Sequence, residues 1–322
     1  MSILRLLVVA VALAAVPASA DPVHRWIEAW PRTDFARSAV PLAEIRSGGP
    51  ERDGIPSIDA PRFVAVTDAD VPDVEPVVSV VVAGDARAYP LRILIWHQIV
   101  NDVVGGLPVA VTYCPLCNAA IVFDRRVDGR TVSFGSTGLV RHSDLVMYDR
   151  QTESWWQQYE GQGIVGAMAG VRLLAVPARL EAMGRFEERF PQGRVLVPPD
   201  ETSRPYGRNP YTGYDSMPTP YNYDGPLPEG IAPLARVVSV GARAWSLALI
   251  RARGTVEVDD LLIEWTPGQS SALDAKHIAD GRDVGNVVVR RRQGGGFVDV
   301  AYTVGFAFVF KAFHPDAAIV VD

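Results

Sequence analysis

The sequence predicts a mostly β protein with a few short helices, made of two degenerate copies of one β-rich unit behind a cleaved signal peptide. Three observations predict it: short apolar runs punctuated by turn residues, a set of segments that recurs in order in the second half, and an N-terminus patterned for export.

The strand expectation rests on Val77 to Val82, Pro108 to Tyr113, Ala119 to Phe123, Thr131 to Phe134 and Leu145 to Tyr148. These runs are short and rich in β-branched or aromatic residues, which fit a pleated surface. Val127-Asp128-Gly129-Arg130 has the chemistry of a tight hairpin turn, because Asp-Gly accepts the positive φ such turns need. Asn101-Asp102 with Gly105-Gly106 is expected to be a turn, and Gly294-Gly295-Gly296 after Arg290-Arg291-Arg292 a hairpin loop. One helix is predicted over Arg179 to Phe190, with Leu180, Met183 and Phe186 at helical spacing and Pro191 as its stop.

Self-similarity organises the rest. Val77-Val78-Ser79-Val80 and Ala86-Arg87-Ala88-Tyr89 return as Val237-Val238-Ser239-Val240 and Ala242-Arg243-Ala244-Trp245. Tyr113-Cys114-Pro115-Leu116-Cys117 is matched in position by Trp265-Thr266-Pro267-Gly268-Gln269, and Phe186 before Pro191 by Phe310 before Pro315. The expected layout is a signal peptide at 1–20, an extension at 21–61, a first repeat at 62–200, a connecting segment at 201–226 and a second repeat at 227–322. Asp200 to Pro226 holds five Pro, five Tyr and three Gly, too aromatic for a loose tether, and is expected to pack across both halves.

Export follows from one charge, Arg5, an apolar run from Leu6 to Val16, and Ala18-Ser19-Ala20 as a cleavage signature, so the mature chain should begin at Asp21 in the periplasm or outside the cell. No later stretch reaches the roughly 18 apolar residues a membrane helix needs, so no membrane span is expected. Removing Arg5 leaves 30 basic residues of the original 31 against 37 acidic ones, and this acidic balance argues against a nucleic-acid partner.

Several motifs resemble those of the bacterial domain-of-unknown-function family 3179. They are Ala86 to Leu91, Trp96-His97 with Val100-Asn101-Asp102, Val111 to Cys117, Ser143 to Arg150, Thr152 to Trp156 and Tyr206 to Tyr211. The resemblance covers most of the mature chain and implies no activity. At His142 the family pattern often has Asn.

Chemistry centres on Cys114 and Cys117, the only cysteines. A structural disulfide would close a loop of about four residues and stabilise by only roughly 2 kcal/mol. The second copy keeps the aromatic and the proline but has Thr266 and Gln269 at the cysteine positions, and Arg253 near the position of His97. Loss of all three together suggests that they act together. Two thiolates and an imidazole suit copper or zinc, with His142, Met147 or solvent as a fourth ligand and copper slightly ahead. The alternatives are thiol–disulfide exchange with a redox partner protein, or a nucleophilic cysteine with His97 or His142 as base and Asp102 or Asp144 to orient it. Asp144, Asp149 and Glu153 are a further possible acid cluster, and Trp155-Trp156 are expected to be core.

Overall fold

The computed structural model describes residues 22–322; the expected signal peptide and cleavage site lie outside the described residues. The chain divides at Pro31. Before it stands the helix Pro22–Ala29, whose opening proline needs no N–H partner. From Arg32 to Asp322 the chain forms one unit, and it is mostly β, as expected.

Strands Ile99–Val104, Leu107–Cys114 and Ala119–Asp124 form an antiparallel sheet of three. A second, five-stranded sheet runs in the order Ile45–Ser47, Phe134–Arg141, Asp144–Asp149, Trp155–Gln157, Gln162–Val165. Residues 109–114 and all of Asp144–Asp149 are buried, so both faces of these strands are covered. Trp155 and Trp156 are fully buried, as expected of core aromatics.

Two further sheets share a plan. In one, Pro76–Val82 pairs antiparallel with Asp85–Pro90 on one side and Ala178–Ala182 on the other, and Arg194–Val197 runs parallel to Asp85–Pro90. In the other, Arg236–Val240 pairs antiparallel with Arg243–Ser246 and Thr303–Phe306, and Ile319–Val320 runs parallel to Arg243–Ser246. Each hairpin feeds a seven-residue helix, Leu91–His97 or Leu247–Arg253. Ser246 caps the second, its Oγ accepting from the Leu249 N–H at 3.1 Å. One apolar core runs through both halves, from Ile58 to Val309, with smaller clusters beside it.

The Asp128-Gly129 turn forms with φ of 49° and 73°, and Gly294-Gly295 turns between its strands at 58° and 83°. Three expectations shift. The helix predicted from Arg179 begins only at Met183, because residues 178–182 are drawn into the edge of a sheet against Pro76–Val82. Pairing there outweighs the helical spacing of Leu180. Thr131 to Phe134 is divided between a small hairpin and the next strand. Asn101 and Asp102 lie within a strand, and Gly105-Gly106 alone makes the turn. The Asn101 amide pairs with the Phe134 backbone like a peptide group, accepting from its N–H at 2.9 Å and donating to its carbonyl at 2.8 Å.

One glycine positions the site. Gly138 sits at a bulge in Phe134–Arg141 with φ of 74°, and a Cβ there would lie 2.1 Å from the Pro50 carbonyl oxygen. Gly138→Ala is expected to destabilise by at least about 2 kcal/mol, seen as a lower urea midpoint at unchanged m-value. A midpoint equal to the parent would show that this close approach is not required.

Candidate metal centre

Cys114 ends its strand and Asn118, with φ of 53°, closes the turn before the chain returns at Ala119. Within the turn the Cys117 N–H donates to the Cys114 carbonyl at 3.3 Å and the Asn118 N–H to the Pro115 carbonyl at 3.2 Å. Sequence-distant residues hold it from outside. The Tyr214 hydroxyl donates to the Leu116 carbonyl, the Phe306 N–H to the Cys117 carbonyl and the Asn118 side-chain amide to the Val304 carbonyl, each at 3.0 Å. The turn is thus clamped by the connecting segment and by the Thr303–Phe306 strand.

Both cysteines are buried free thiols with their sulfurs 3.3 Å apart, well beyond the roughly 2.05 Å of a disulfide. The third member of the group is Asp144, wholly buried. It follows the hairpin turn His142-Ser143, whose φ angles of 54° and 64° put two non-glycine residues in the left-handed region that this tight turn demands. Asn and His tolerate that region better than most residues. The turn aims the Ser143 carbonyl at both sulfurs, 3.3 Å from Cys117 and 3.8 Å from Cys114.

Every recorded hydrogen bond to the Asp144 carboxylate comes from a neutral donor. Oδ2 accepts from Gln157 Nε2 at 2.6 Å and the Tyr159 N–H at 2.8 Å, and the Cys117 thiol lies 3.2 Å from Oδ1. Among the described residues it has no cationic partner within ion-pair distance. Burial lifts its pKa to about 6, moderated by the bonds from Gln157, Tyr159 and the thiols. Burial likewise pushes the Cys117 thiol well up, helped by Cys114 and the neighbouring carboxylate.

A cavity of about 60 Å³ opens on the Cys114 side, walled by Cys114, Leu116, Gln98, Ser136, Gly138 and Tyr211 among others. Cys117 and Asp144 do not line it. Gln98 at φ 58°, Asn118, His142 and Ser143 are all non-glycine residues in the left-handed region around this group. Backbone strain of this kind persists where surrounding structure enforces it, and it gathers at functional sites.

The other candidate ligands go elsewhere. His97 is 3% exposed with both ring nitrogens engaged, Nδ1 2.8 Å from the Pro56 carbonyl and Nε2 2.8 Å from the Tyr206 hydroxyl, so it anchors the connecting segment. Burial lowers its pKa. The His142 ring turns to Glu44, at 3.3 Å, and packs edge-on to Phe313. Met147 is three residues beyond Asp144 in one strand, and alternation puts it on the opposite face, paired with Trp156 and Ser136. Asp149 accepts from Thr152 and the Trp156 indole, Glu153 pairs with Arg32 and Arg52, and Asp102 is held by Arg87 and Tyr89; none of them joins Asp144. The sequence signal for Asp144 was present in Ser143-Asp144, but nothing local to it names the cysteines as its partners.

The sequence matches the family model described as Protein of unknown function (DUF3179) over residues 52–317. The chain belongs to that family. The match spans the cysteine turn, the His142-Ser143 hairpin and Asp144. No curated protein and no solved structure matches the chain.

Proposed function

We propose that Cys114, Cys117 and Asp144 hold a transition-metal ion, zinc in preference to copper, in an exported protein. The observation that carries this reading is a wholly buried carboxylate facing two buried thiols with only neutral donors around it. A buried charge is costly unless it is paired or binds a metal, and here a cation would supply the missing partner. Their three ligand atoms lie within 4.8 Å of one another. The Ser143 carbonyl faces the same space and supplies a fourth donor atom, an oxygen. Replacing the expected imidazole by a carboxylate shifts preference from copper(I) to zinc, because zinc accepts mixed sulfur and oxygen ligands. Charge balance agrees. Two thiolates and a carboxylate leave net charge −1 around Zn(II) but −2 around Cu(I), the costlier state for a buried site.

Zinc titration of the reduced mature chain against a chromophoric chelator tests this. One equivalent should bind, with release of protons from the thiols and weakening as pH falls. His97→Ala is expected to bind zinc like the parent, since its ring bonds to Pro56 and Tyr206; a large loss in that variant would restore His97 to the ligand set.

One observation favours a second reading, thiol–disulfide exchange: Cys114 lines a cavity that Cys117 does not, and the two sulfurs are 3.3 Å apart. A chain that binds no zinc yet forms a reversible disulfide would establish that reading in place of the first.

Export is supported by Arg5, the Leu6 to Val16 run and Ala18-Ser19-Ala20. N-terminal sequencing of envelope protein should begin at Asp21, and an intact Met1 in the cytosol would refute it. Internal duplication is supported by the shared strand plan and by the two satellite cores, in which Val77, Ala88 and Phe186 occupy the roles of Val237, Ala244 and Phe310. Superposition of the four shared strands of these two sheets should carry Leu91–His97 onto Leu247–Arg253, and a failure to overlay would remove it.

A further inference from the structure

We propose that a second site, a cavity of about 560 Å³ beside the Leu247–Arg253 helix, binds a small organic anion with an apolar body. That volume is typical of small-ligand sites. Leu234, Leu247 and Val284 supply apolar wall, and Arg236, Arg251 and Arg282 supply positive charge.

Charge accounting points to an anion. Asp215 is wholly buried and already paired, with Arg236 at 3.0 Å and Arg282 at 2.9 Å, and the Ser271 hydroxyl donates to it at 2.5 Å. Arg282 is also tied to Asp274 at 2.8 Å. The other lining carboxylate, Asp283, accepts from the backbone N–H groups of Gly268, Gln269 and Gly285 at 2.8 to 3.2 Å. One cationic group and one unused donor are left over. Arg251 has no ion-pair partner among the described residues and stands on the Trp265 ring, 5.2 Å from its centroid, while the Trp265 indole is fixed to the Val284 carbonyl at 3.0 Å. Arg236, 7% exposed at its side chain, keeps its Nε buried with no hydrogen-bond partner among the described residues. A guanidinium with a free face and a buried unused donor beside an apolar wall suits a carboxylate or sulfonate on a hydrophobic body.

The other half of the molecule shows why the space exists. Just before the Pro76–Val82 strand stands Glu75, and second in the following helix stands Arg92; they form an ion pair, Arg92 donating to Glu75 at 3.0 Å. The corresponding positions before Arg236–Val240 and in Leu247–Arg253 are Ala235 and Ala248, and both line the cavity. An internal salt bridge in one half is an open, cation-lined space in the other. This inference does not depend on the metal site.

The test is fluorescence titration of the zinc-loaded and zinc-free full mature chain with 8-anilinonaphthalene-1-sulfonate, an apolar monoanion, and with N-phenyl-1-naphthylamine, its uncharged analogue. The expected result is one saturable site for the sulfonate in both forms, and binding of the analogue weaker by about tenfold or more. Arg251→Gln should weaken the sulfonate about tenfold, and Ala248→Trp should abolish saturable binding by filling the space. Residues 248 and 251 are both exposed, so each variant should fold, which an unchanged melting midpoint verifies. The proposal is overturned if the parent shows no saturable site, if both variants bind like the parent, or if the uncharged analogue binds equally well.

Discussion

Asp144→Asn is expected to lower zinc affinity by on the order of 10² to 10³-fold while leaving the metal-free protein at neutral pH as stable as the parent or more so. The two effects oppose each other for one physical reason. Asn keeps the shape and one acceptor oxygen, so the bonds from Gln157 and Tyr159 have a partner of similar size. It removes the negative charge, which the metal-free protein holds at a cost in a wholly buried position. With a cation bound, that same charge is the counter-ion, and removing one partner of a buried pair costs about 3–5 kcal/mol, which converts to that loss of affinity. Cys117→Ser should produce a loss of similar order, since the thiolate is a direct ligand and the hydroxyl of Ser does not ionise in its place. Competition titration with a chelator and urea unfolding of the metal-free forms read the two quantities separately. An Asp144→Asn variant that binds zinc like the parent would remove the carboxylate from the site, and one that simply unfolds in both conditions would make it a structural residue.

Stability of the metal-free, reduced chain should fall as pH rises through 6, by roughly 3 kcal/mol from this one group. Asp144 has its pKa raised by burial from 3.8 to about 6. The folded state therefore holds the proton more tightly than the unfolded chain does. Its contribution is complete below about 4, where both states are protonated, and is lost as pH climbs through the folded value. The window is thus pH 4 to 7, and the sign is opposite to that of a salt-bridged carboxylate such as Asp85, whose pKa is lowered to about 2 by Arg87, Gly105 and Arg194 despite partial burial. Subtracting the Asp144→Asn profile from the parent profile isolates the term, because Asp85 and the other acids are common to both. Zinc should reverse the slope, since the bound form needs the carboxylate and both thiols ionised and protons compete with the metal. A difference profile that stays flat between pH 4 and 7 would contradict the buried, uncompensated carboxylate.

The site was legible in part. Cys114 and Cys117 are three apart, and that spacing lets one turn bring both sulfurs together whatever the rest of the fold does. His97 enters the expectation only through the segment likeness that sets Arg253 near its position, and each of the two ends a helix. Yet co-variation of three residues did not entail contact: His97 is buried against Pro56 and Tyr206 and holds the connecting segment. Met147 lies on the other face of its strand from Asp144, a placement that can be read only once the strand is known to begin at Asp144.

The sequence by itself determined the β-rich class, the Asp128-Gly129 and Gly294-Gly295 turns and the cysteine pair, because β-branched runs, positive-φ turn residues and short loops act within a few residues of chain. Tertiary structure alone decided that Leu180 lies in a strand, that Asp144 faces the sulfurs, and that Ala235 and Ala248 line a cavity. Those outcomes are set by sheet register and by the burial of charge. Both depend on residues far apart in sequence, and a buried carboxylate acquires its chemistry only from the groups that the fold packs around it.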